Sequence, residues 1–201
     1  MYLACAGIGK LSLVDWDAVE LSNLNRQILH GEADIGEQKV ISAARKLEKL
    51  NSTVEVNSHA VKITTENFSG LLRGVDLVMD CMDNMATRFI LNEGCVKAGI
   101  PLIHGGIYGM MGEVTTIIPG RTPCFECIFP RDVEGKRPFP VFGFTPALIA
   151  SLQVMEAIKL LAGFGELLAG KMLYVRGEET IFMTVDLEKN KACRVCGGVK
   201  A

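Results

Sequence analysis

The sequence predicts a doubly wound α/β fold with a mostly parallel sheet and an added β extension in its C-terminal half. Three observations carry that prediction. Strand and helix patterns alternate through the first half of the 201 residues. Two short apolar runs close on acids, as buried parallel strands do at the edge of a sheet. Hydrophobic residues make up 49% of the chain, enough for a substantial core and too many for wholesale disorder.

The elements follow in order. Residues 2–7 read as the end of a helix, with Gly7 and Gly9 as stop residues, so this G-x-G precedes a strand instead of following one. Residues 11–14 form a short buried strand bounded by a glycine and by Asp15. A helix over 37–50 carries Val40, Ala43, Ala44 and Leu47 at helical spacing, and 54–61 alternates as a strand does. Thr64 caps a helix running to Leu72. The continuous apolar run 75–79 closes on Asp80 and Asp83, residues 86–98 are helical, and 101–104 form another short strand. The character changes at Gly112. An added strand over 113–118 precedes a cysteine pair and a polar, proline-bearing loop over 131–140. A helix over 147–161 follows, then strands over 171–175 and 180–187 turned by Gly177, then a last cysteine pair. No repeat or interdomain linker interrupts the chain, which reads as a single domain over 1–201.

Bulk properties exclude several classes. A net charge of −2 without a block of Lys or Arg argues against nucleic acid or an anionic membrane as partner. The longest apolar segment, 143–162, is broken by Gln153, Glu156 and Lys159 at helical spacing, the pattern of an amphipathic helix and no membrane span. With no leader pattern at its start, the chain is expected to be cytoplasmic.

Two constellations carry chemistry. Seven cysteines include two C-x-x-C pairs, Cys124 with Cys127 and Cys193 with Cys196. Four thiolates complete a closed tetrahedral structural zinc site, which would staple the chain end to its middle; a redox pair is the alternative. Cys5, Cys81 and Cys95 stand singly and read as small core residues. The second constellation is ionic. Asp15 falls where a strand-end acid hydrogen-bonds a nucleotide ribose. Ser22, Asn23, Asn25, Arg26 and Gln27 form a dense set of phosphate-capable side chains. Lys39 opens the following helix, and Asp83, beyond the 75–79 strand, is an acid suited to hold Mg²⁺ through a phosphate. Each has an ordinary reading: Asp15 as a solvated strand-end acid, Lys39 as a helix lysine, Arg26 as a surface ion pair, Asp83 as a helix cap with Asn84. His30, His59 and His104 are dispersed and read as structural.

The run D-W-D-A-V-E-L-S-N-L-N-R-Q (15–27), the segment I-G-E-Q-K (35–39), D-C-M-D-N (80–84) followed by Thr87-Arg88, the C-x-x-C pairs and S-L-Q-V-M-E-A-I-K-L-L-A-G (151–163) resemble one family along the whole chain. It is the Rossmann-like, ubiquitin-activating-type family of adenylyltransferases that serve sulfur carriers, the molybdopterin-synthase and ThiF-type enzymes. The resemblance implies ATP-dependent adenylation of the C-terminal glycine of a ubiquitin-like sulfur carrier ending in Gly-Gly, in molybdopterin, thiamine or tRNA thiolation, by a homodimer. It implies Asp15 on the ribose, Ser22, Asn23 and Arg26 on phosphates, Lys39 on the phosphates under attack, and Asp83 with Asn84 at the magnesium. The implied cofactors are ATP, Mg²⁺ and structural Zn²⁺.

Two departures stand out. The first strand and glycine-rich phosphate loop are missing, with the arginine the family supplies from its N-terminal region, so the expectation is that coding sequence upstream of Met1 provides them. Residues 128–150 contain no cysteine, so the chemistry is expected to stop at the acyl-adenylate. A nicotinamide-dependent dehydrogenase would also want Asp15 but gives no reason for Arg26, Lys39, Asp83 and the cysteine pairs together. A zinc-stabilised scaffold that binds a ubiquitin-like partner without turnover is the remaining alternative.

Overall fold

The computed structural model describes residues 1–131 and 140–198. The chain divides into two compact units, Met1–Ile63 with Phe142–Phe144, and Thr64–Val141 with Thr145–Ala201. Of the loop expected over 131–140, residues 132–139 lie outside the described residues, as does that part of the cysteine-free stretch.

The first unit is one βαβ crossover behind a short helix. Helix α1 (Tyr2–Cys5) stops at Gly7, whose φ of 81° is a left-handed conformation that glycine adopts without strain. Strand β1 (Lys10–Val14) pairs in parallel with β2 (Glu55–His59), Lys10 opposite Glu55 and Val14 opposite His59. Helix α2 (Lys39–Leu50) connects them, burying Val40, Ala43 and Leu47 as the spacing predicts. Ala4, Leu47 and Val54 form the core, with Leu11, Leu13, Leu29 and Val56 packed against it. Each such aliphatic side chain contributes about 1.5–3 kcal/mol when fully buried.

The second unit opens with α3 (Phe68–Leu71), a single turn capped at Asn67, with Thr64 and Asn67 exchanging side-chain to backbone hydrogen bonds just before it. Strand β3 (Val78–Asp80) is shorter than the predicted 75–79 run and shifted forward. Val75 is still held by a turn bond to Leu72, so the ladder begins at Val78. Helix α4 (Met85–Ala98) ends on Gly99 in the left-handed region and leads to β4 (Leu102–Tyr108), parallel to β3. Beyond it the sheet turns antiparallel through β5 (Met111–Ile117), β6 (Lys171–Arg176) and β7 (Ile181–Asp186), giving the order β3-β4-β5-β6-β7. The α/β fold and the C-terminal β extension are as predicted. The parallel strands fall into two sheets, and β1 and β3 each have one paired edge among the described residues.

After the single turn α5 (Phe125–Ile128), helix α6 (Phe144–Ala162) reverses an expectation. Its 19 residues are long and apolar enough to cross a bilayer. Its buried stripe, however, is Thr145, Ile149, Gln153, Glu156 and Ala157, while Phe144, Leu148, Met155 and Leu161 are exposed. The polar residues face inward because the sheet offers them partners. Gln153 Nε2 donates to the carbonyls of Asp80 (2.8 Å) and Ile103 (3.2 Å). Glu156 Oε2 accepts from Thr116 Oγ1 (2.6 Å) and Leu168 N (2.7 Å), and its other oxygen pairs with Lys159. Those bonds mark a core helix of a folded domain. The single cysteines also need correcting. Cys95 is buried, but Cys5 and Cys81 are exposed, because α1 buries only Ala4 and Cys81 lies beyond the end of β3.

Candidate functional site

In the first unit the ionic residues gather at the carboxyl end of β1. Asp15 follows the strand directly and accepts the Asp17 N–H at 2.8 Å, so its carboxylate closes the turn that ends the strand. Lys39, the first residue of α2, donates to Asp17 at 3.1 Å and lies 4.0 Å from Asp15, with its side chain only 11% exposed. Its backbone N–H also bonds the Asp17 carbonyl at 3.0 Å. The Lys39 ammonium and the helix N-terminus are positive elements suited to phosphate, and two carboxylates now occupy the ammonium.

The loop between them is ordered by its own side chains. Asn23 is buried and spends its carbonyl on the Glu20 N–H (3.1 Å), while its N–H₂ reaches Ser22 at 3.5 Å. Ser22 donates to Glu20 at 3.2 Å. Arg26 bonds the Ser22 carbonyl (3.0 Å) and Asn25 Oδ1 (2.9 Å) on the exposed side. Asn23 therefore organises the loop, and Arg26 is its outward cation. Gly143 presses on this turn: a Cβ there would stand 2.1 Å from the Asn25 carbonyl oxygen.

In the second unit Asp83 and Asn84 follow β3. Asn84 is the N-cap of α4, accepting the Thr87 N–H at 2.9 Å. Asp83 is exposed and accepts from Asn84 Nδ2 at 3.2 Å, which leaves carboxylate lone pairs for a ligand. Sequence reasoning missed what lies behind it. Asp80, buried, takes the Met82 N–H (2.9 Å) and His104 Nδ1 (2.6 Å), and Arg88 Nε approaches it at 3.4 Å. Arg88 also donates to the carbonyls of Met82 (2.6 Å) and Gly105 (3.1 Å). Burial pushes the His104 imidazole toward its neutral form, but hydrogen bonds to Asp80 and Glu113 outweigh it and hold the pKa above the usual histidine value. The available signal was that an acid ending one strand and a histidine in the next are register partners.

The four paired cysteines converge in the second unit, their sulfurs all within 4.8 Å of one another. Cys124 to Cys193 is 3.6 Å, Cys127 to Cys196 is 3.4 Å and Cys124 to Cys127 is 3.9 Å. Ligands about 2.3 Å from a tetrahedral zinc lie about 3.8 Å apart, so the spacing fits a metal and is far too long for disulfides. Burial raises the Cys124 and Cys196 thiols. Cys193 moves the other way, because the N–H groups of Cys196 and Val195 aimed at its sulfur overcome burial and favour thiolate. The knuckle is clasped outside by Glu126, paired with both Arg131 and Arg194.

With this geometry in place, comparison with known proteins is informative. The ThiF family pattern matches residues 1–195. The chain is 39% identical over 206 residues to the sulfur carrier protein adenylyltransferase of Thermus thermophilus, covering 98% of this chain and 76% of that protein. It is 39% identical over 202 residues to the adenylyltransferase and sulfurtransferase MOCS3 of Sus scrofa, of which it spans 44%. Among solved structures, Escherichia coli MccB with ATP matches with a TM-score of 0.84 at 28% identity, over 98% of this chain and 61% of that one.

Proposed function

The chain belongs to the ThiF family, and from that premise we propose that it uses ATP to adenylate the C-terminal glycine of a ubiquitin-like sulfur-carrier protein ending in Gly-Gly. The observation that carries the reading is Lys39, held beside Asp15 at the end of β1, in a chain that aligns over 98% of its length with a sulfur carrier protein adenylyltransferase. A carboxylate is already ionised near pH 7, so the attack needs no general base. One carrier carboxylate oxygen bonds to the α-phosphorus, the bond to the β-phosphate oxygen breaks, and pyrophosphate leaves with that electron pair. The barrier lies in bringing anions together and stabilising charge on the phosphoryl oxygens.

In this reading Asp15 holds the ribose hydroxyls, and Lys39 exchanges its contact with Asp17 for phosphate oxygens. Arg26 meets the phosphates from the exposed side of its turn, and Ser22 and Asn23 shape that turn. Asp83 is the carboxylate for Mg²⁺, with Asn84 orienting it. Bound through a single carboxylate and the nucleotide phosphates, the ion supplies charge neutralisation. The four cysteines hold a structural Zn²⁺ with no coordination position left for chemistry. We expect Lys39→Ala and Arg26→Ala each to lower carrier-dependent ATP–pyrophosphate exchange by roughly a hundredfold or more with folding intact. Exchange that survives either change rejects the assignment.

The exposed row Phe144, Leu148 and Met155 on α6 supports a homodimer. Sedimentation that finds only monomer at micromolar concentration rejects that part. A scaffold that binds the carrier without turnover remains the second reading. It is favoured by Asn23, whose side chain is taken up within its own turn. Calorimetry with ATP separates the two. The choice among molybdopterin, thiamine and tRNA thiolation belongs to the identity of the carrier.

A further inference from the structure

The buried polar groups behind Asp83 form one connected chain that the adenylation chemistry above does not use. Glu113, partly exposed, lies 3.5 Å from His104 Nε2. His104 is fully buried, and its Nδ1 meets Asp80 at 2.6 Å. Its ring packs edge-on against Phe125 and Phe129, with centroids at 5.0 and 5.6 Å, so it has no room to turn away. The other oxygen of Asp80 accepts the Met82 N–H at 2.9 Å, and Arg88 takes the Met82 carbonyl at 2.6 Å. The Met82 residue is therefore gripped on both its N–H and its C=O, and Asp83 is the next residue. Arg88 Nε has no hydrogen-bond partner of its own and faces Asp80 at 3.4 Å. Gln153 locks the same strand from behind through the Asp80 carbonyl; a Cβ on Gly105 would fall 2.4 Å from the Gln153 side chain, so nothing larger fits between them.

We propose that His104 is a positioning residue for Asp83, acting through the Asp80 carboxylate and the Met82 peptide. The physical argument is charge balance. A buried carboxylate that must aim one oxygen at a backbone N–H needs its other oxygen fixed by a donor, or it rotates to find one. His104 is that donor, and with Glu113 accepting from Nε2–H on its far side the doubly protonated ring is held between two carboxylates. The consequence is a loop held rigidly enough to present Asp83 to a divalent ion without a second protein carboxylate. Among the described residues Asp83 belongs to no group of three or more metal-ligating side chains. The inference rests on the adenylation reading for the role of Asp83, and its test is arranged to separate the two.

The test compares wild type, His104→Leu and His104→Asn in carrier-dependent ATP–pyrophosphate exchange as a function of Mg²⁺ concentration. The half-saturating Mg²⁺ concentration is expected to rise about tenfold in His104→Leu and to return to within about twofold of wild type in His104→Asn, which retains a donor. Hydrogen exchange at the Met82 amide is read alongside and needs no turnover. Its protection is expected to fall about tenfold in His104→Leu while that of Val114 in β5 stays unchanged. An unchanged Mg²⁺ requirement, or equal loss of protection at both amides, shows a merely structural histidine and overturns the inference. No exchange in wild type at any Mg²⁺ concentration overturns the adenylation reading instead, and the two amides then decide the positioning claim. Should His104→Leu fail to fold, Glu113→Gln decides it: the Mg²⁺ requirement rises about threefold, or, if it does not move, the chain of positioning is wrong.

Discussion

Lys39 and Gly143 illustrate how differently single residues announce themselves. Lys39, expected on the phosphates with an ordinary helix lysine as the alternative, is nearly enclosed and shared between Asp15 and Asp17. Nothing in composition could reveal the enclosure, because it depends on β1 ending where α2 begins. Gly143 carried no signal at all. It matters because its missing side chain lets residues 142–144 lie on the Asn25–Arg26 turn, where a Cβ would stand 2.1 Å from a carbonyl oxygen. Gly143→Ala must push that turn aside, so we expect a loss of about 1–3 kcal/mol, seen as a lower melting temperature. An unchanged melting temperature would show that the contact yields freely. Asn23 was legible as polar but not as buried. A side chain that fits phosphate fits a capping bond equally well, and the buried Asn23 accepts that bond from the Glu20 N–H.

At the scale of elements, periodicity found the longer helices, alternation found β2, and short apolar runs closing on acids located β1 and β3. Helix α6 shows the limit. Its spacing was read correctly and its inward face wrongly, because Gln153 and Glu156 are buried against backbone carbonyls and a threonine that no local pattern reveals. The cysteine spacing was the most reliable local signal, and its four sulfurs do converge. A metal held by the four cysteines would cross-link the chain across residues 128–192, worth about 4 kcal/mol in the loop-entropy picture. At roughly 2–4 °C per kcal/mol for a chain of this size, chelation should lower the melting temperature by about 10 °C. Elemental analysis should find one zinc per chain. Metal-free protein that melts at the same temperature would refute the staple.

For the whole molecule, the sequence made the family legible along nearly its full length, and the motifs were more informative than any single residue. In the structure the parallel strands are divided between two sheets, and β1 and β3 each have one paired edge among the described residues. What the sequence could not supply was the support behind the site, the Asp80–His104–Glu113 chain, because those residues meet only when β3, β4 and β5 come into register. The proposed adenylation is a reversible reaction, and exchange of labelled pyrophosphate into ATP reads it without any later step. With the full-length protein and a sulfur carrier ending in Gly-Gly, label should enter ATP, and removing the carrier's terminal glycine should abolish it. Incorporation that is absent with every such carrier, or that proceeds unchanged without that glycine, would contradict the claim.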